Sequence, residues 1–177
     1  MSVLVAFASA QGSTGGIARR IADRLRARGV AVQLAEFAGL PGLGGFDAAV
    51  LGSAIHGGQW LPEASRMVSR SIAEVGDKPV WLFSVSSIGE TSSFFPRFVT
   101  SPLRRMRGET REIARIRSLV SVRDHRNFAG AIKKGDWSRV GDVFLRVLGG
   151  RFGDHRDWAD IDAWADAIAT GLNAPAN

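Results

Sequence analysis

The feature that most constrains this chain is its opening, an unbroken apolar run, Val3-Leu4-Val5-Ala6-Phe7-Ala8, that stops at a turn of glycine and hydroxyl residues and enters an amphipathic helix. A strand with no polar alternation is covered on both faces, which is the condition of a parallel sheet flanked by helices. From Ser13 to Arg28, Ile17, Ile21 and Leu25 recur at helical spacing with arginines between them, and Gly29 supplies the stop. Further strands are expected at Val30–Leu34, Ala48–Gly52, Pro79–Val85 and Phe128–Ile132. Helices are expected from Pro62 to Val75, from Leu103 to Arg117 and from Asp157 to Leu172. Strand and helix alternate throughout, so the fold class is α/β, a doubly wound five-stranded parallel sheet in the order 2-1-3-4-5 with helices on both faces. We expect one domain spanning residues 1–177. Within it, residues 133–156 form a helical insertion, with a helix from Ser138 to Leu148 that carries Val140, Val143, Phe144 and Val147.

Composition removes several function classes. Cysteine is absent, so disulfides, thiolate metal sites and cysteine nucleophiles are excluded. No apolar stretch approaches the roughly 20 residues that span a bilayer. The opening segment ends in Ala8-Ser9-Ala10 but has no basic leader, so it reads as a mature strand in a cytoplasmic protein. The net charge of +6 favours contact with anionic surfaces, whether lipid, nucleic acid or acidic protein.

In doubly wound sheets ligands bind beyond the carboxyl ends of the strands, where strand order reverses. The loop after the first strand, Ser9-Ala10-Gln11-Gly12-Ser13-Thr14-Gly15-Gly16, carries hydroxyls, an amide and glycines but no carboxylate. Free N–H groups at a helix start, the positive end of the helix dipole and the Ser and Thr hydroxyls together make an anion site, with Arg19 and Arg20 raising the local potential. The plainer alternative is that Ser13 or Thr14 caps the helix and the glycines make a turn. Neither the G-x-G-x-x-G nor the G-x-x-x-x-G-K-[ST] fingerprint is present. The acidic pair that a receiver domain uses to hold magnesium is missing too, and no paired-carboxylate or Ser/His/Asp apparatus is evident.

Ser9-x-Gln11-Gly12-x-Thr14 resembles the phosphate signature [ST]-x-[TQ]-G-x-T of the flavodoxin-like superfamily. The segment after the third strand, Gly52-Ser53-Ala54-Ile55-His56-Gly57-Gly58-Gln59-Trp60, resembles the corresponding loop of one branch, the bacterial menaquinone-dependent protoporphyrinogen IX dehydrogenases. Ser84-Val85-Ser86-Ser87-Ile88-Gly89-Glu90 and the late Gly149-Gly150 are similar to the same branch, and the likeness is weakest between Thr91 and Arg126. The resemblance implies flavin mononucleotide (FMN) as cofactor. It implies an oxidoreductase that passes reducing equivalents from a protoporphyrinogen-like substrate through flavin to a quinone in heme biosynthesis. Departures exist: with no tyrosine in the chain, the tyrosine that stacks on the flavin in many flavodoxins has no counterpart, and the acidic Gly-Asp pattern beside the ring is missing. A flavodoxin-type electron carrier and a flavin-free basic binding protein are the alternatives.

On that resemblance the cofactor is held by Ser9, Gln11, Gly12, Ser13 and Thr14 at the phosphate, and by Ser53, Ala54, Ile55, His56, Gly57, Trp60, Ser84, Ser86, Ser87, Ile88 and Gly89 around the ring. Trp60 either stacks on the isoalloxazine or belongs to the core. His56 either exchanges a proton with the flavin, as the candidate catalytic group, or is an exposed loop histidine. Arg104, Arg105, Arg107, Arg111, Arg115 and Arg117 form either a solvated helix face or a patch for peripheral contact with an anionic membrane. The expected partners are the substrate and a quinone; nucleic acid is not expected. No metal is expected.

Overall fold

In the computed structural model, residues 1–106, 108–136, 143 and 145–173 are described. Strand β1 (Ser2–Ala8) leads into helix α1 (Ser13–Ala27), followed by β2 (Ala31–Glu36) and β3 (Ala48–His56). A short strand β4 (Gln59–Trp60), helix α2 (Pro62–Ser71) and β5 (Val80–Ser86) come next. Two helices, α3 (Arg97–Met106) and α4 (Arg111–Leu119), precede β6 (Val122–Ala129). The chain then forms a small antiparallel pair, β7 (Ala131–Ile132) with β8 (Gly153–Asp154), and ends in helix α5 (Trp158–Asn173).

The main sheet runs β2-β1-β3-β5-β6 with all four pairings parallel. That is the five-stranded order expected from the alternation. Chain direction across the sheet reverses between β1 and β3, so the switch point lies at their carboxyl ends.

The sheet sorts its side chains by the two-residue period of a strand. Val3, Val5, Phe7, Trp81, Phe83, Val85 and Phe128 face one side, where Ile17, Ile21 and Leu25 of α1 and Ile161, Trp164 and Ile168 of α5 cover them. Leu4, Ala6, Leu51, Val80 and Leu82 face the other, against Ala64, Met67 and Val68 of α2 and Ile113 and Ile116 of α4. Fully burying one such aliphatic or aromatic side chain contributes about 1.5–3 kcal/mol, so these two layers are the main source of stability. On the first side α1 and α5 are also clamped by charge. Arg20 makes a two-pronged pair with Asp162, while Arg24 and Arg28 both bond Asp166. Those hydrogen bonds, from Arg24 first and Arg28 second, hold the Asp166 carboxyl down to about 2.

Two expectations change. The basic helix expected from Leu103 to Arg117 is two helices, because Gly108 interrupts it and Thr110 starts a new one, its Oγ1 accepting the Ile113 N–H at 3.4 Å. The fifth strand of the sheet begins at Val122, not Phe128, and Ala131–Ile132 leaves the sheet to pair with β8. Polar residues fill that strand's first half because an edge strand has one neighbour and a partly open surface. Of the expected helix Ser138–Leu148, residues 138–142 and 144 lie outside the described residues; Val143 and Leu145–Val147 are helical, and Leu145 is buried against Phe94 and Ile132.

Candidate functional site

The first loop is built by backbone conformation. Gly12 takes φ +83°, a left-handed value that glycine reaches without steric cost, and it stands at the N-terminus of α1. Its N–H donates to Ser9 Oγ at 3.0 Å, closing the turn. No side chain caps α1, so neither Ser13 nor Thr14 fills the capping role that the plainer alternative gave them. Thr14 is 1% exposed and its hydroxyl has no hydrogen-bond partner among the described residues. An orphaned hydroxyl costs about 1–3 kcal/mol, so its retention in this turn points to an acceptor supplied from outside the chain.

Beside this turn lies a cleft of about 220 Å³ at the switch point. Gln11 and Ser13 from the first loop, Ala54, Ile55 and His56 from the end of β3, and Val85, Ser86 and Ser87 from the end of β5 line it. Phe94, Gly130, Ala131, Ile132 and Asp136 close the far side. Gly130 closes tightly on the first loop, where a Cβ would stand 2.9 Å from Ser13 Oγ and displace that side chain. Seven of the residues expected at the cofactor thus meet in one place. Ser9, Gly12 and Thr14 shape or back the loop.

The remaining candidates have other work. Gly57 and Gly58, with φ +59° and +81°, form the two-residue turn of a hairpin in which β3 continues to His56 and β4 returns antiparallel. Successive positive φ values are what such a turn requires. Trp60, returned by that hairpin, is 3% exposed in the core rather than over the cleft, and its Nε1 donates to Ser84 Oγ at 2.8 Å. The stacking role expected for it is therefore corrected. Ser84 is itself buried and lies 2.9 Å from His125 Nε2. Ser53 Oγ accepts the Leu61 N–H at 3.0 Å, which anchors the start of α2. Ser86 Oγ bonds both the carbonyl and the N–H of Ile88, and Gly89 packs its Cα against the β6 backbone at Phe128 and Ala129. Ile88 and Gly89 thus brace the third loop.

Charge is distributed otherwise than composition suggests. The Arg20 guanidinium is neutralised by Asp162, and Arg19 lines neither described cleft. Arg104 turns inward to donate to the carbonyls of Gly89 and Ser92, Arg115 bonds Ser69, and Arg117 pairs with Glu109. Of the expected basic face, Arg104 is drawn into the fold, whereas Arg105, Arg111, Arg115 and Arg117 are exposed; Arg107 lies outside the described residues. Asp136 is an unexpected carboxylate at the cleft, with one oxygen accepting the Lys133 N–H at 2.6 Å while its carbonyl accepts from Gln11.

Sequence reasoning missed Phe94, His125 and Asn127. A second cleft of about 410 Å³ adjoins the first, sharing Ile55 and Ser86, and is further lined by Gly58, Gly108, Glu109, Thr110, His125 and Asn127. The signal was available in Val122-Arg123-Asp124-His125-Arg126-Asn127, whose alternation with Phe128 puts His125 and Asn127 on one face. Phe94, 6% exposed, is the aromatic residue that lines the first cleft. Among the described residues no group of three or more His, Asp or Glu side chains forms a metal site. No helix among them is long and apolar enough to cross a membrane.

The orphaned Thr14 hydroxyl, the uncapped start of α1 and the adjoining cleft fit a phosphate joined to a larger group, as FMN is. No curated protein matches the sequence. Among solved structures the chain is similar to a flavodoxin from the domain Archaea, at 15% identity, covering 98% of this chain and 100% of that one with a TM-score of 0.59. It is also similar to oxidised flavodoxin 2 from Bacillus cereus, at 21% identity over 97% and 99% of the two chains, with a TM-score of 0.56. The rubredoxin oxygen:oxidoreductase of Desulfovibrio gigas is likewise similar, at 15% identity and a TM-score of 0.59 over 97% of this chain and 36% of that one. These likenesses establish the fold. Residues 4–136 match the family described as the flavodoxin domain. The chain therefore belongs to the flavodoxin domain family, and FMN is the cofactor that this membership implies.

Proposed function

We propose that this protein is an FMN-dependent oxidoreductase that takes reducing equivalents from an organic, protoporphyrinogen-like donor and delivers them to a quinone. The observation that carries the reading is the second cleft of about 410 Å³ opening beside the first through Ile55 and Ser86. A carrier that exchanges electrons only with other proteins has no need of such a chamber, whereas an enzyme must seat its reactant next to the redox group. Bound flavin supplies hydride transfer. The chain's own residues do the rest. Ser13, Thr14 and the N–H groups at the start of α1 would hold the phosphate, and Ala54, Ile55, Ser86, Ser87 and Phe94, which line the cleft, would enclose the ring and exclude water.

A quinone resides in a bilayer, and peripheral contact with an anionic membrane is part of the reading. Phe98, Val143 and Val147 are 78%, 59% and 77% exposed, on segments that meet where Pro96 approaches Gly149. Arg97 and Arg105 are exposed on the same helix as Phe98.

Purified protein is expected to acquire flavin absorbance on adding FMN, to lose it anaerobically on adding protoporphyrinogen, and to regain it with a menaquinone analogue. Reduction that occurs only through a redox-protein partner would replace this reading with the electron carrier. A protein that stays colourless with FMN would leave the flavin-free binding role.

A further inference from the structure

Along one stripe of α1, Gly16, Arg20 and Arg24 follow one another at one-turn spacing. Arg20 meets Asp162 of α5 and Arg24 meets Asp166, so at two successive turns α1 offers the cation and the C-terminal part of the chain the carboxylate. At the first turn that order is inverted. Gly16 offers no side chain, and a Cβ built on it would collide with Nη1 of Arg156. Gly16 is helical and is not among the glycines at positive φ, so its backbone does not call for glycine, and within a helix glycine is less favourable than alanine. What the glycine admits is the guanidinium.

The small sheet delivers Arg156 to this position. Gly130 closes on Ser13, Ala131 pairs with Asp154, and the His155 N–H donates to the Gly130 carbonyl at 3.1 Å. Asp154 takes Nε and Nη2 of Arg156 at 2.7 and 2.6 Å, and the guanidinium carbon lies 4.4 Å from the centre of the Trp158 ring. Nη1 is left at the first turn of α1 with no acceptor among the described residues. The positive end of a helix disfavours a cation, and neither the first turn of α1 nor residues 9–12 before it carry a carboxylate to offset one. A guanidinium pinned there with a donor unspent calls for an anion. Thr14, in the same turn, is 1% exposed with its hydroxyl unpartnered among the described residues. Ser13, which lines the first cleft, precedes Gly16 by three residues and so shares its side of the helix.

We propose that Arg156 is a phosphate ligand of this site: its Nη1 donates to the terminal phosphate of FMN, and its charge selects FMN over riboflavin, the same flavin without the phosphate. The inference rests on FMN as the cofactor and is independent of the electron donor. The family match covers residues 4–136, so Arg156, with Asp154 and Trp158, comes from outside the matched segment. Asp154 and Trp158 are positioning residues, and Gly16 provides the clearance.

Titration of the flavin-free protein with FMN and with riboflavin, read by quenching of flavin fluorescence, tests this. Arg156→Gln is expected to weaken FMN binding about 10- to 100-fold, the loss of a hydrogen bond to a charged group, and to leave riboflavin within about twofold. Added salt weakens FMN binding more steeply in wild type than in the variant, because the variant has one charge pair fewer to screen. Arg156→Lys, which keeps the charge, restores part of the loss. Gly16→Ala is the second variant. Alanine favours the helix, so folding is at least as stable, while the new Cβ pushes the guanidinium off the first turn and weakens FMN without weakening riboflavin. Should Arg156→Gln fail to fold, Gly16→Ala decides alone. Unchanged FMN affinity, or an equal loss for both flavins, overturns the inference and spares FMN as cofactor. Wild type that binds neither flavin overturns both.

Discussion

The loops after β1 and β3 both turn on glycine at positive φ, and they do opposite things. The first holds a conformation set by neighbours in sequence, with Gly12 at φ +83° and Ser9 closing the turn, and it leaves Thr14 Oγ1 without a partner among the described residues. In the second, Gly57 and Gly58 make a hairpin turn that sends Trp60 into the core, where Ser84 meets its indole N–H and Glu112 its main-chain N–H. One loop keeps hydrogen-bonding capacity for a ligand, and the other consumes its capacity in the fold. Glycine content alone does not separate the two; the location of unmet polar groups does.

The contrast is sharpest at Thr14. Thr14→Val keeps the shape and removes a hydroxyl that bonds nothing among the described residues, so apo stability holds or rises by about 1 kcal/mol. FMN affinity falls about 10- to 100-fold, the loss of a hydrogen bond to a charged group, measured by fluorescence quenching of FMN. A variant that loses stability and keeps its affinity would erase the distinction.

Ser84→Ala has the reverse signature. It strands the buried Trp60 Nε1, costing about 1–3 kcal/mol in denaturant unfolding, with FMN affinity changed less than threefold. Gly58→Ala forces φ +81° on a residue with a Cβ and costs about 1–2 kcal/mol, again without loss of FMN.

The smallest effect lies away from both loops, in the clamp between α1 and α5. Asp166 is held down to about 2 by Arg24 and Arg28, below the usual value of about 3.9 for an unfolded aspartate. A depressed carboxyl contributes stability that is present above the unfolded value and lost as pH falls from about 4 towards 2. Asp166→Asn is therefore expected to lower the Tm modestly at neutral pH and to flatten the acid limb of the Tm profile, measured by thermal scans between pH 2 and 7.

The amino-acid sequence alone determined the architecture and the first loop. Val3–Ala8 reads as a doubly covered strand and Ile17, Ile21 and Leu25 as a buried stripe because those patterns follow from the periods of strand and helix. The Ser9–Thr14 turn was readable for a related reason, since its donors and its φ values come from adjacent residues. Only the tertiary structure decided the remainder. It put Trp60 in the core, drew Arg104 onto Gly89 and Ser92, began β6 at Val122 and set His125 beside Ser84. Each of those outcomes depends on a partner tens of residues away, and a local pattern carries no information about which distant group will arrive to satisfy a hydrogen bond or cover an aromatic ring.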